Sequence, residues 1–482
     1  MNKRRLARCR NSMRSCAFVL LTLGMLAAFV CASSAAQRRP NLLFIITDDQ
    51  RFDALGVVQE EQGSNARWPW FKTPNLDRLA KEGVRFRNAF VVHSLCSPSR
   101  ASFLSGQYGH RNGIVDNSTH FPSNAMNQAV LLREAGYHTA YIGKYHMAYQ
   151  PNRPGFAHVV SYVSQGEYFG GRFLVNGAET RVTNWVDDAS TDFALDYLRT
   201  NRHQPWMMML GFKTPHTPRQ PPVRARERFV GESVKPAMNL KAAPSYGKGQ
   251  RAYKGEEIGK PVETDTDSHG SDPYLLDYFR AISAVDDNVG RLLNELDTLG
   301  IAEDTVVVFA SDNGYFLGDH GLGDKRAAYE ESMRIPLLMR YPRSGMRAKV
   351  IDEMVLNLDL APTFLDLAGV RVPEQMQGAS WMPLLRGDAS NWRQAFMFAY
   401  LFERNLPATP AMIAVRTPAA KLIQYPDRKV WTELFDLKAD PYETRNLAGD
   451  PAYAELRQKL ERELAAQKQR FGDPFEQGTA AY

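Results

Sequence analysis

Ten polar or ionisable side chains, scattered from Asp48 to Lys325, carry the groups that anion chemistry needs. Asp48, Asp49, Asp312 and Asn313 offer hard oxygen ligands of the kind calcium or magnesium prefers, and the soft Cys/His spacing of a zinc site is absent. Either acidic pair alone is weak, because carboxylates often end strands without binding anything; the two together point to one metal ion. Arg100, Lys144, His146, His216 and Lys325 form a complementary set of cations and imidazoles. Removing a single oxyanion donor typically loses about 2.7 to 4 kcal/mol, whereas enzymes lower barriers by about 8 to 23 kcal/mol. Hydrolysis of a slow anionic ester therefore needs several such groups at once. Cys96 opens the stretch CSPSRASFLSG and precedes Arg100 by four residues.

These residues can meet only if the elements between them deliver them to one place. The run NLLFIIT, residues 41–47, is continuously apolar, as in a strand covered on both faces, and ends on Asp48-Asp49. In TPNLDRLAKEG, Thr73 can cap a helix, Pro74 suits its first position and Gly83 ends it. Helix then strand recurs: AVLLREAG leads into HTAYIGKYH, ASTDFALDYLRTN into PWMMMLGF, and LLDYFRAISAVDDNVGRLLNELDTLG into TVVVFASDNG. This alternation predicts an α/β fold with a mostly parallel sheet and helices on both faces. Sites in such folds form where loops leave the carboxyl ends of strands, which is where Asp48-Asp49, Lys144 and His146, His216, and Asp312-Asn313 all fall. Residues 213–273 turn rich in Pro, Lys, Arg and Gly, a long connection of the functional or the disordered kind, whose Arg219, Arg224, Arg226, Lys235 and Lys241 either help hold a polyanion or simply face solvent. After about Gly387 shorter strand-like pieces and a last charged helix predict a smaller α+β domain with an antiparallel sheet.

The first 36 residues read as a secretory signal peptide: six basic residues, an apolar run from Ala17 to Cys31 too short to span a membrane, and small residues to Ala36. The expected product is a secreted or periplasmic protein without stable membrane insertion, divided into 37–387 and 388–482. That cut removes six of the 59 Lys and Arg and no acid, leaving a chain balanced against 53 Asp and Glu and no electrostatic reason to expect nucleic acid. It also removes Cys9, Cys16 and Cys31, so Cys96 becomes solitary and no internal disulfide can form.

CSPSRASFLSG resembles the sulfatase signature, in which Cys-x-Pro-Ser-Arg precedes a short helix, so Cys96 is expected to lie just before that helix. TDDQR (47–51), GKYHM (143–147), TPHTP (214–218), SDNG (311–314) and GDKRAAYEESMRIPLLMRYP (323–342) follow the same family in order, as do DLAPTFLDLAG and ELFDLKADPYETRNL. The resemblance spans nearly the whole chain beyond residue 36 and leans toward carbohydrate sulfatases, including N-acetylglucosamine-6-sulfatase-like and other glycosaminoglycan-acting members. It implies an alkaline-phosphatase-like sheet and conversion of Cys96 to formylglycine (3-oxoalanine) by a separate maturation enzyme. The hydrated aldehyde attacks sulfur, and deprotonation of its second hydroxyl expels sulfate. The resemblance further assigns Asp48, Asp49, Asp312, Asn313 and modified residue 96 to one calcium ion, and Arg100 to the formylglycine hydroxyl. His146 becomes the base of the elimination step, Lys144 and Lys325 the sulfate ligands, and His216 a sulfate ligand or the proton donor to the leaving oxygen. Tyr145 and Met147 stand where Trp and Leu are common in the family, and His320, near Lys325, has no assigned role. The expected substrate is a sulfated saccharide. A phosphonate or phosphate ester hydrolase of the same superfamily, and a sulfated-glycan binding protein that has lost turnover, are the alternatives; a zinc alkaline phosphatase fits less well.

Overall fold

Strand β1 (Asn41–Thr47) is buried at every position, and its side chains alternate between two separate cores. Leu42, Phe44 and Ile46 join one apolar cluster, while Leu43 and Ile45 join the other, so the strand is covered on both faces as its unbroken apolarity requires. The computed structural model describes residues 39–247 and 273–476, apart from residues 405, 407 and 427. The expected signal peptide and residues 248–272 of the basic loop lie outside the described residues. In chain order the next strands are β2 (Val84–Phe86), β3 (Ala89–Phe90), β4 (His138–Lys144), β5 (His158–Tyr162), β6 (Arg172–Val175), β7 (Ala178–Arg181) and β8 (Trp206–Gly211). They are followed by β9 (Thr305–Ser311), β10 (Leu337–Arg340), β11 (Lys349–Ile351) and β12 (Val355–Leu356).

Ten of them form one sheet in the order β11-β2-β10-β9-β1-β8-β4-β5-β6-β7. The five central strands β9, β1, β8, β4 and β5 are mutually parallel, and antiparallel pairs appear only toward the two edges. Ile46 pairs with Gly211, Thr47 with Ser311 and Gly143 with Gly211, so four strands end level along one edge. Gly143, with φ 84°, lets β4 and β8 close on each other there, since a Cβ at this position would overlap the Gly211 carbonyl.

The helices follow the predicted alternation. Helix α1 (Pro74–Lys81) begins on its proline, α2 is Cys96–Ser105, α3 is Gln128–Glu134, α4 is Val186–Asn201 and α5 is Pro273–Thr298. Ala101, Phe103 and Leu104 of α2 pack on one face of the sheet, while Leu195 and Leu198 of α4 and Val285, Val289 and Leu292 of α5 pack on the other. The described residues from Pro40 onward form one compact unit. Within it the C-terminal strands β13 (Phe396–Tyr400), β14 (Met412–Arg416), β15 (Ala420–Gln424) and β16 (Glu433–Asp436) make a separate antiparallel sheet, covered by α6 (Ala454–Phe471) through Leu460 and Leu464. No helix of the described residues is long and apolar enough to cross a membrane.

Candidate active site

The level strand ends gather the scattered residues. Asp48 and Asp49 follow β1, Asp312 and Asn313 follow β9, Lys144 closes β4, and His216 lies on the loop after β8. The loops are stitched together by their backbones: Asp48 N–H donates to Thr214 O at 2.9 Å and Asp312 N–H to Thr47 O at 3.0 Å. Asp49 and His146 both adopt left-handed backbone, φ 68° and 53°, a conformation that costs non-glycine residues energy and that clusters at functional sites.

Cys96 is fully buried and is the first residue of α2, with Leu95 extended ahead of it as the cap. The expectation that it lies just before the helix is thus shifted by one residue: Pro98 needs no N–H in a first turn, so the helix can start at Cys96 itself. The thiol Sγ stands 3.6 Å from Asp48 Oδ1 and 3.2 Å from Lys325 Nζ. Burial, reinforced by Asp48, pushes the thiol up to about 12 despite Lys325, so it stays protonated.

Around Cys96 the charges interlock. Arg100 donates from Nε to Asp312 Oδ2 at 2.8 Å, from Nη2 to Asp48 Oδ2 at 3.1 Å and from Nη1 to Lys144 O at 2.8 Å. Lys144 pairs with Asp48, and Lys325 with Asp49. Burial would raise Asp48, but Lys144, Arg100 and Lys325 together hold it well below the usual carboxylate range. Burial and the neighbouring Asp48 push Asp312 up to about 7, and burial raises Asp49 despite Lys325. Three carboxylates forced this close resist ionising together, a conflict that a divalent cation relieves.

The residues present fit such a cation. Asp48, Asp49 and Asp312 offer oxygens within 4.8 Å of one another. Asn313 donates through Nδ2 to Asp49 Oδ1 at 2.7 Å, while its Oδ1 is buried with no partner among the described residues, the orphaned acceptor expected of a hard-metal ligand.

The two imidazoles are neutral in this environment. Burial, then Lys144, holds both His146 and His216 well below the ordinary histidine value. His146 Nδ1 is buried without a partner among the described residues, leaving a nitrogen able to take a proton. His216 Nδ1 lies 2.6 Å from Thr217 O, which assigns its proton there and leaves Nε2 as an acceptor. To donate toward a leaving group, His216 must first be protonated, a state that an incoming anion favours.

All ten residues predicted from sequence meet in this cluster. The sequence reading missed Gln165, on the loop between β5 and β6, whose side-chain carbonyl accepts from Lys144 Nζ and whose backbone carbonyl accepts from Lys213 Nζ at 3.1 Å. It also missed Asp187, whose carboxylate takes the N–H groups of Lys213 and Thr214 at 2.8 and 3.1 Å and so anchors the His216 loop. An isolated loop glutamine has no pattern to betray it, whereas an acid in the first turn of α4 is also what a helix N-terminus favours. His320 belongs elsewhere, stacked on Tyr329 at 3.8 Å with Nδ1 2.9 Å from Ala242 O. Tyr145 is buried edge-on to Tyr141 beneath Arg153, so this departure from the family pattern is accommodated by packing. Of the basic loop residues, Arg224 is bound to Asp188 and Asp287, and Lys235 donates to Ala66 O at 3.3 Å.

A sheet-edge site that sets metal-competent carboxylates against buried cations and neutral imidazoles is built to hydrolyse the ester of a small oxyanion. The sulfatase profile matches residues 40–370, and the profile of the N-sulphoglucosamine sulphohydrolase C-terminal region matches residues 318–470. The chain belongs to the sulfatase family, a family of sulfuric ester hydrolases. It is 33% identical to an N-acetylglucosamine-6-O-sulfatase of Bacteroides thetaiotaomicron, over 96% of this chain and 93% of the relative. A solved structure bound to its substrate D-glucosamine-2-N,6-O-disulfate superposes with a TM-score of 0.81 at 30% identity, covering 91% of this chain and all of that one. A phosphonate monoester hydrolase from Silicibacter pomeroyi superposes at 0.71 with 25% identity, covering 90% of this chain and 96% of its own.

Proposed function

We propose that this protein removes a sulfate ester from an amino-sugar-containing saccharide, using formylglycine made from Cys96 and a calcium ion held by Asp48, Asp49, Asp312 and Asn313 together with residue 96. The observation that carries the reading is the convergence on Cys96 of an acid and a cation from separate strand-end loops, Asp48 at 3.6 Å and Lys325 at 3.2 Å. Its support for a saccharide substrate is the likeness to the amino-sugar sulfatase and to the disulfated-glucosamine complex. Formylglycine would supply a hydrated aldehyde as nucleophile, and the calcium ion would supply Lewis acidity to stabilise anionic oxygen.

The chain's own residues do the rest. Lys144 and Lys325 bind sulfate oxygens, turning from the carboxylates that they neutralise in the resting site. Arg100, anchored on Asp48 and Asp312, holds the nucleophilic position of residue 96 in place. His146 accepts a proton at a nitrogen with no competing partner, and His216, once charged by the approach of the anion, donates to the leaving oxygen. The first 36 residues direct export, and a separate enzyme matures Cys96.

Mass measurement of the peptide carrying residue 96 tests this reading. Conversion to the aldehyde lowers the mass by about 18 Da relative to cysteine. An unmodified thiol in protein matured by a competent host, with no sulfate released, would refute it and leave a glycan-binding protein. The likeness to the phosphonate monoester hydrolase favours one second reading, phosphonate or phosphate ester hydrolysis by the same groups. A higher kcat/KM on a phosphonate monoester than on 6-O-sulfated N-acetylglucosamine would select it.

A further inference from the structure

Gln165 is half-buried on the loop between β5 and β6, so it spans from the enclosed sulfate chemistry to solvent. Its side-chain amide contacts Lys144 Nζ, and because an ammonium can only donate, that contact fixes the amide's orientation: Oε1 faces Lys144 and Nε2 is the end left over. Nε2 has no partner among the described residues. An open donor therefore stands beside the lysine that the sulfatase reading assigns to sulfate. Lys144 itself is fully buried and paired with Asp48, so when it turns from Asp48 toward an anion, Gln165 is the contact that keeps it in place.

The loop holds this residue firmly. The Gln165 backbone carbonyl accepts from Lys213 Nζ at 3.1 Å, and the Lys213 ammonium lies 4.9 Å from the ring centre of Tyr168, whose hydroxyl donates to His216 O at 2.6 Å. Ser164 and Gly166, on either side, both adopt left-handed backbone, φ 57° and 63°, and a Cβ at Gly166 would come within 2.4 Å of the Tyr162 ring. A donor fixed in advance loses little freedom when it takes a ligand. A sulfated sugar offers it two kinds of acceptor. The sulfate oxygens are claimed by Lys144 and Lys325 in the proposed reaction, whereas the oxygens around the ester carbon stay on the solvent side of the enclosed sulfate, the side to which Gln165 reaches.

We propose that Gln165 is a substrate-binding residue with two duties: Oε1 positions Lys144, and Nε2 donates to an oxygen of the sugar next to the sulfate ester. The inference rests on the saccharide sulfatase reading and adds to it a residue that tells a sugar sulfate from an ester with no neighbouring oxygen.

Two substrates test it on the matured full chain: 6-O-sulfated N-acetylglucosamine, and phenyl sulfate, which has no oxygen outside the ester group. Gln165→Glu keeps an acceptor for Lys144 but loses the donor, and Gln165→Leu loses both. In each variant the ratio of kcat/KM on the sugar sulfate to that on phenyl sulfate should fall about tenfold, the worth of one good hydrogen bond. The ratio cancels any effect on sulfate binding common to the two esters, so a merely structural role would not move it. A fall of less than about threefold in Gln165→Glu would overturn the sugar contact and leave the sulfatase reading standing. Gln165→Leu should also lower the phenyl sulfate rate by at least about threefold, and an unchanged rate would overturn the positioning of Lys144. If the parent releases no sulfate from the sugar, the saccharide reading itself fails. Calorimetric binding of the sugar sulfate and of inorganic sulfate to Cys96→Ala, with and without Gln165→Glu, then decides Gln165 alone: a loss at least about threefold greater for the sugar sulfate supports the contact, and an equal loss, no loss or no binding to either protein refutes it.

Discussion

Arg100→Ala takes a guanidinium out of a place where two carboxylates have no access to water. Arg100 is 2% exposed, and Asp48 and Asp312 are each fully buried. Deleting one partner of a buried ion pair typically costs about 3 to 5 kcal/mol, because the other charge is left stranded. Here the stranding is incomplete: Asp48 keeps Lys144, and Asp312 keeps the Asp49 N–H at 3.1 Å. The loss therefore belongs at the lower end, about 3 kcal/mol in metal-free protein. With one positive charge gone from beside the carboxylates, a divalent cation should bind more favourably than in the parent, so calcium should return part of the lost stability. Denaturant unfolding of the parent and the variant, each in EDTA and in calcium, reads both effects. The electrostatic account of the site is wrong if Arg100→Ala in EDTA stays within about 0.5 kcal/mol of the parent, the range of an ordinary surface substitution.

Lys144→Met removes both the partner of Asp48 and a proposed sulfate ligand, and kcat/KM for the sulfated monosaccharide should drop about 10²- to 10³-fold with the circular dichroism spectrum unchanged; a drop below threefold would rule the role out. Burial, then Lys144, depresses His146, so the free base persists through neutral pH and is lost only as pH falls through its lowered value. The acidic limb of kcat should therefore lie below pH of about 6.5, and a limb above that value would contradict His146 as the base of the elimination step. At Gly314 an added Cβ would overlap the Glu331 carbonyl, so Gly314→Ala should displace the Asp312–Asn313 loop, cost about 1 to 3 kcal/mol and lower activity with it; an unchanged melting temperature would show that the loop yields without strain.

The chemistry was legible because the fold is parallel at its centre. β1, β8 and β9 are buried throughout, so their sequences are nearly unbroken apolar runs, and β4 differs only by its half-buried first residue. Each delivers its polar residues at the same end. The edges were not legible for the converse reason: β7 (AETR) is exposed at every position, and β11 is buried only at Ile351. Contacts that depend on distant pieces also escaped. Glu330 is held by Arg416 and Lys421, and Lys421 also meets Glu443, a buried network linking the loop beyond β9 to the antiparallel sheet that no local spacing announces. Gln165 and Asp187 escaped likewise, since what they touch is set by how β4, β5 and β8 end together. Arg224 was legible as a basic residue, but only the folded chain shows that it is bound to Asp188 and Asp287.

On the proposed maturation of Cys96, its burial also sets an order of events in the life of the chain. Cys96, Pro98 and Arg100, the residues a maturation enzyme would read, are all enclosed once α2 has docked on the sheet. An enzyme could reach that thiol only while the segment is still extended, so modification and folding would compete for the same nascent chain. A molecule that folds first keeps a protected thiol for as long as it stays folded. The active fraction of a preparation would then record which process was faster during synthesis, and supplying the maturation enzyme to the finished protein should not raise it.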